Sequence, residues 1–213
     1  MVNEEHRWEA PGSLELVRTF LNTGLPPGDH GRDQLFDLRA DPARWATSFS
    51  GLPRPGPGRL DALVELRQGL LRLLATGPTP ADAAWLSGWY QQTGLRAQAA
   101  VENDQLVTRL ARPARSGLAG AVVEAVAEAL ATGTWSRLRR CPDCQLVFWD
   151  RTRNASKIWC GMYAGTDGRA CGSIAKVRRY RARRAASTPG PNRSGVTRPP
   201  SASIARQPGP TTQ

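Results

Sequence analysis

The sequence predicts an α+β fold: a mostly helical N-terminal domain over residues 1–135 that holds one small β-hairpin, a short cysteine-bearing domain over 136–186, and a polar tail over 187–213. Three observations carry this. Apolar residues recur at helical spacing through most of the first 130 positions, one pair of short runs flanks a polar turn, and all four cysteines fall within the 31 residues from Cys141 to Cys171. With 213 residues, 40% hydrophobic and including seven Trp, the chain has the material for a buried core, which excludes a wholly disordered protein.

The first helix is "SLELVRTFLNT", where Ser13 is placed to cap and Leu14, Val17 and Leu21 form an apolar stripe with Leu16 and Phe20; Gly24 and Pro26-Pro27 end it. "DPARWATSF" predicts a short helix with Asp41 as N-cap and Pro42 at the first helical position, where its missing N–H is not needed. "RLDALVELRQGLLRLLATG" has the clearest period, with Leu63, Leu66, Leu70, Leu71 and Leu74 on one side and Gly77-Pro78 as a stop. "PADAAWLSGWYQQTG" predicts a helix that buries Trp85 and Trp89 at i and i+4. "LRAQAAV" and "LVTRLAR" flank Glu102-Asn103-Asp104 as a hairpin. Leu118, Val122, Val126 and Leu130 then mark an amphipathic helix that Ser116 is placed to cap and Gly133 to close.

The tail is dense in Pro, Ser, Thr and Gly and cannot bury enough surface to offset its ordering entropy, so it is expected to be disordered. The net charge of +11 is uneven. Residues 1–136 carry a net −2, whereas residues 137–184 carry 13 Lys and Arg against three Asp. Such asymmetry suits a segment that meets a polyanion, or a solvated basic surface. The polar, acidic N-terminus and the lack of a long apolar run predict a cytoplasmic protein with no membrane segment.

Cys141 and Cys144 are separated by two residues, Cys160 follows after fifteen, and Cys171 after ten more. A C-x2-C turn brings two thiolates onto one metal, and a second pair completes a tetrahedron, so the expected cofactor is one structural Zn²⁺ held by Cys141, Cys144, Cys160 and Cys171. Four sulfur ligands leave no position open for water. "QLVFWD" and "SKIWC" are expected to form strands around the turn "DRTRN", and "CGSIAKVRRYRARRA" a helix that begins at the fourth ligand. The layout is that of a treble-clef-like four-cysteine zinc finger with a basic C-terminal helix. A dithiol redox pair at Cys141 and Cys144, or incidental buried cysteines, are the competing accounts.

On the last helix, Ile174, Val177 and Tyr180 form a narrow apolar stripe expected to face the zinc core. Lys176, Arg178, Arg179, Arg181, Arg183 and Arg184 follow Cys171 with no acidic residue among them, and Arg153 and Lys157 extend the candidate nucleic-acid contacts. Arginine suits phosphate and guanine edges because its planar fork donates two parallel hydrogen bonds.

The stretch from Arg139 to Arg184 resembles the CGNR zinc finger, whose pattern is a C-x(2–4)-C knuckle, an aromatic-Asp step, "S/T-R-N-x-S-x-x-W-C" and "C-G-N-R-A-K-x-R-x-x-R-x-R". Phe148-Trp149-Asp150, Thr152-Arg153-Asn154-Ala155-Ser156, Trp159-Cys160, Cys171-Gly172, Ala175-Lys176, Arg178 to Arg181 and Arg183 match it. Ser173 and Ile174 stand where that family has Asn and Arg, and ten residues rather than four separate the last two cysteines. "LELVRTFLNTG" is similar to the ABATE domain that precedes this finger. The resemblance implies a bacterial transcriptional regulator whose finger binds DNA and whose N-terminal domain senses a small-molecule effector. It makes Asn22 and Thr23 candidate ligand contacts; their other role is to close the first helix before Gly24. A homodimer is natural for a DNA reader.

No catalytic constellation is visible: His6 and His30 are the only histidines, and no G-x-x-x-x-G-K-[ST], G-x-S-x-G or H-E-x-x-H occurs, so the chain is not expected to be an enzyme. The alternative to a DNA-binding regulator is a zinc-stabilised module that binds protein or RNA.

Overall fold

The computed structural model describes residues 9–24, 33–161 and 170–187. The expected disorder of the tail, and the Gly-rich spacer before Cys171 apart from its ends, lie outside them. The chain divides into two units, residues 1–176 and 177–213. Except for the C-terminal part of the last helix, all described residues belong to the first.

Helix α1 spans Leu14–Leu21, α2 Gln34–Ala40, α3 Pro42–Ser48, α4 Leu60–Thr76 and α5 Pro80–Thr93. Strands β1 (Arg96–Glu102) and β2 (Gln105–Ala111) form the predicted hairpin, and α6 covers Gly117–Ala131. Strands β3 (Leu138–Arg140) and β4 (Val147–Trp149) make a second antiparallel pair, and α7 runs over Cys171–Ser187. The α+β class, mostly helical before the cysteines, is as the sequence predicts.

Local chemistry explains most boundaries. Asp41 caps α3 by accepting from the N–H groups of Ala43 and Arg44, with Pro42 in the first turn. Thr79 and Asp82 make a reciprocal capping box on α5, and Gly94, at φ 69°, ends that helix in the left-handed region. Neither Ser13 nor Ser116 caps with its side chain. The Ser13 hydroxyl instead reaches the Glu128 carboxylate of α6 at 3.0 Å, and that of Ser116 donates to the Pro113 carbonyl. Helix α2 has no clear sequence signature, because only Leu35 and Leu38 of its seven residues are buried.

The body core joins Val17 and Phe20 of α1 to Leu66 and Leu70 of α4 and to Val122 and Val126 of α6, all fully buried. Each such side chain contributes about 1.5–3 kcal/mol relative to exposure. Helices α4 and α5 approach closely at Gly69, where a Cβ would lie 2.0 Å from the Trp85 ring. Trp89 is buried as predicted, whereas Trp85 stays half-buried and packs under the Arg72 guanidinium. On α6 the buried stripe runs through Ala125 and Ala129, which leaves Leu130 exposed.

One buried polar knot ties α1, α2 and α4 together. Arg67 forms a salt bridge with Asp33, the residue that caps α2, and donates to the Thr23 hydroxyl at 2.8 Å. The guanidinium fork satisfies both partners at once, which is how a buried arginine is tolerated.

Candidate metal centre

The knuckle Cys141–Leu146 is the turn that joins β3 to β4. The Cys141 N–H donates to the Leu146 carbonyl and the Gln145 N–H to the Cys141 carbonyl, both at 2.9 Å, with Gln145 at φ 64°. Cys141 and Cys144 therefore lie at one end of the β3–β4 hairpin. Cys171 is the first residue of α7, and Cys160 ends the loop after β4.

The four Sγ atoms lie within 4.8 Å of one another, with Cys144 to Cys160 at 3.5 Å and Cys160 to Cys171 at 3.7 Å. A tetrahedron with Zn–S bonds of ~2.3 Å has sulfur atoms about 3.8 Å apart. The four cysteines thus fit one zinc ion. Cys141, Cys160 and Cys171 are buried and Cys144 is half-buried, so water has little access. Burial raises the Cys141 thiol, but backbone N–H donors at Cys144, Cys160 and Asp143 and the Cys144 side chain together bring it below its ordinary value. Burial and the neighbouring sulfurs push Cys160 up. Zinc would supply the positive charge that lets all four exist as thiolates.

Phe148 is fully buried with these cysteines, and Leu146 and Trp159 pack around them. Its neighbours Val147 and Trp149 belong to the body core, as does Leu138. Strand β4 has one face on each cluster. Its position on the body is fixed by Asn22, whose Nδ2 donates to the Val147 carbonyl at 2.9 Å while its Oδ1 accepts from the Val147 N–H at 2.8 Å.

The return strand expected over "SKIWC" does not form. Residues 150–158 instead wrap a fully buried carboxylate: Asp150 accepts from the Thr152 N–H at 2.8 Å, its hydroxyl at 2.6 Å and the Lys157 N–H at 2.7 Å. Burial opposes that charge, but these donors and the nearby Arg139 hold its pKa below the ordinary carboxylate range. Arg137 donates to the carbonyls of Asp150 and Thr152, and Arg139 to that of Ala155. The Lys157 backbone is thereby taken by the Asp150 carboxylate and unavailable to a strand ladder.

The basic residues divide by environment. Arg139 and Arg140 are half-buried on β3, Arg151 donates to the Glu9 carbonyl, and the Lys157 ammonium lies 5.2 Å from the centre of the Phe148 ring. Arg153 is exposed on the loop. On α7, Lys176, Arg178, Arg179, Arg181, Arg183 and Arg184 are all exposed. Ile174, the residue of the expected stripe that lies in the first unit, is 37% exposed rather than buried. The Arg184 guanidinium lies 5.9 Å over the Tyr180 ring. Six of the nine residues from Lys176 to Arg184 are Lys or Arg, which leaves the apolar side chains of α7 too few and too scattered for a packing face.

The ends of the long spacer are joined. The Gly172 N–H donates to the Gly161 carbonyl at 2.9 Å, beside the 3.7 Å approach of Cys160 and Cys171. Lengthening a closed loop from four to ten residues costs about 0.8 kcal/mol in closure entropy, which a metal site tolerates.

Asn22 and Thr23 are held by protein partners: Asn22 by Val147, and Thr23 by the Phe20 carbonyl and Arg67. Both also line a cleft of about 460 Å³ with Thr19, Gln34 and Arg44. Sequence reasoning did not find Asp150 as the organiser of its loop, although D-x-T is a local side-chain-to-backbone pattern that signals one. Nothing local signals that Asn22 reaches β4, 125 residues away.

Two comparisons bear on these residues. The profile of the CGNR zinc finger family matches residues 137–184, a span that takes in the β3–β4 hairpin, all four cysteines and α7 as far as Arg184. No curated protein matches the chain.

Proposed function

We propose that this chain is a zinc-dependent DNA-binding protein, a transcriptional regulator of the bacterial kind. The observation that carries it is α7, a helix that opens on the cysteine Cys171 and then exposes six Lys and Arg side chains with no acidic residue on it. Guanidinium groups on a helix narrow enough for the major groove are suited to phosphates and guanine edges. Arg153, exposed on the loop that Asp150 organises, offers a further phosphate contact.

The N-terminal body, which resembles an ABATE domain, is the effector-sensing part of the proposal. The cleft beside Asn22 and Thr23 supports it: an effector there would act on the residue whose side chain holds β4. No helix among the described residues is long and apolar enough to cross a membrane.

Fluorescence anisotropy with short duplexes over 50–300 mM salt tests the DNA reading. If about five of the basic side chains reach phosphates, the log–log slope is roughly −4 to −5. Replacing Arg178, Arg179 and Arg183 together should shallow it by about 3. Absence of binding to any duplex sinks the proposal and favours a protein- or RNA-binding module.

A further inference from the structure

A cavity of about 300 Å³ opens between residues 53–56, the start of α4 and the start of α6. Its floor is apolar: Leu63 and Leu118 are buried beneath it, and Pro53 and Pro55 form one side. The charge on its lining is of one sign, from Arg54, Arg59 and Arg115, all exposed at the rim; no acidic residue among the described ones lines it.

Several arginines of the helical body are answered by acids, for Arg18, Arg67, Arg72, Arg109 and Arg112 each pair with a carboxylate. Arg54, Arg59 and Arg115 have no carboxylate partner among the described residues. Arg54 makes one long bond to the Arg39 carbonyl, at 3.3 Å, and Arg59 one to the Arg115 carbonyl, at 3.4 Å. A guanidinium has five N–H donors, so each keeps donors for an anion. The walls are set in advance: Pro53, Pro55 and Pro57 stiffen their segment, and the Arg39 Nε holds the Pro55 carbonyl at 3.0 Å. Little ordering of the chain then opposes binding.

Three like charges around an apolar hollow favour one kind of occupant. An organic anion answers the guanidinium forks with its head and covers Leu63 and Leu118 with its body. A bare inorganic anion would leave the floor uncovered, and a neutral apolar molecule would leave the charges unanswered. We infer that this cavity binds a small organic acid, a carboxylate carried on an apolar body such as an aromatic ring. The site shares no lining residue with the cleft beside Asn22 and Thr23 and does not depend on DNA binding.

Titration of the zinc-loaded full chain with 2-naphthoate, followed by amide NMR, is expected to give a dissociation constant of about 0.1–1 mM. The shifts should gather at residues 54–63 and 115–119. The neutral 2-naphthamide, which has the body without the charge, and acetate, which has the charge without the body, should each bind roughly tenfold more weakly. Arg59→Gln with Arg115→Gln should raise the constant for 2-naphthoate about fivefold or more. Ala62→Phe, which fills the cavity from an exposed position, should do the same without removing a charge. Zinc content and the thermal midpoint should be unchanged in both. Equal binding of acid and amide, shifts centred on Thr19 and Asn22 or on α7, unchanged binding in either variant, or no binding by about 5 mM overturns the proposal.

Discussion

The chain contains two hairpins that solve the same problem differently. The β1–β2 pair has seven residues per strand, and Asn103 and Asp104 adopt φ of 49° and 61° in its two-residue turn, the left-handed geometry that matches strand twist. Its faces are largely exposed. The β3–β4 pair has three residues per strand, too few to persist alone, yet every residue of β4 is buried. The first is specified by local turn chemistry and register. The second depends on what surrounds it: a knuckle with two metal ligands at one end, the body core on one face, and the Asn22 amide on its outer edge.

Removing the metal should separate them most sharply. A structural zinc contributes on the order of 10–16 kcal/mol of apparent binding energy in small fingers. Chelation, or Cys141→Ser, is therefore expected to abolish amide-exchange protection over residues 138–149 while leaving 96–111 protected. Zinc analysis should give one ion per chain before treatment and none after. Equal loss in both hairpins would break the contrast.

Asn22→Ala should come next. It strands the Val147 N–H and carbonyl in a partly buried place, with an expected loss of about 1–3 kcal/mol in thermal or urea unfolding. Exchange protection should fall at β4 and not at β1.

Acid supplies a smaller, signed effect. The Asp150 pKa is depressed in the folded chain, so its contribution is fully present above the unfolded carboxylate range near pH 4 and is lost as pH falls through the folded value. Asp150→Asn should weaken the loop at neutral pH and remove that part of the acid sensitivity. Tryptophan fluorescence of both proteins titrated in parallel, with zinc in excess, isolates the difference. The smallest effect is expected at Asn103→Ala, about 1 kcal/mol, because alanine lacks the short polar side chain by which asparagine tolerates the positive φ of the turn; it should be confined to β1–β2.

The two hairpins also mark what a sequence discloses. Helices α3 and α4 were legible because an Asp-Pro cap and a leucine period are local signals, and the four zinc ligands because thiols at that spacing have few other uses. β1–β2 was legible for the same reason. β3 was not: "LRR" carries no strand signature, and it pairs with β4 because the knuckle folds the chain back on itself. The strand expected over "SKIWC" failed because Asp150, a single buried acid, took the Lys157 N–H that a ladder would have used. The apolar stripe on α7 was periodicity without enough apolar surface, for Val177 and Tyr180 are each flanked by exposed Lys or Arg and Ile174 has only Ser173 and Ala175 beside it.

Strand β4 presents Phe148 to the cysteines and Val147 and Trp149 to the leucine and valine core. That alternation bears on portability. A segment cut out by the ends of its cysteine pattern would carry its metal ligands away but leave behind Leu138 and the surface that Val147 and Trp149 cover, and would display those two large apolar side chains to water. Grafting the segment onto another protein would therefore mean taking α1 with it, down to the amide of Asn22.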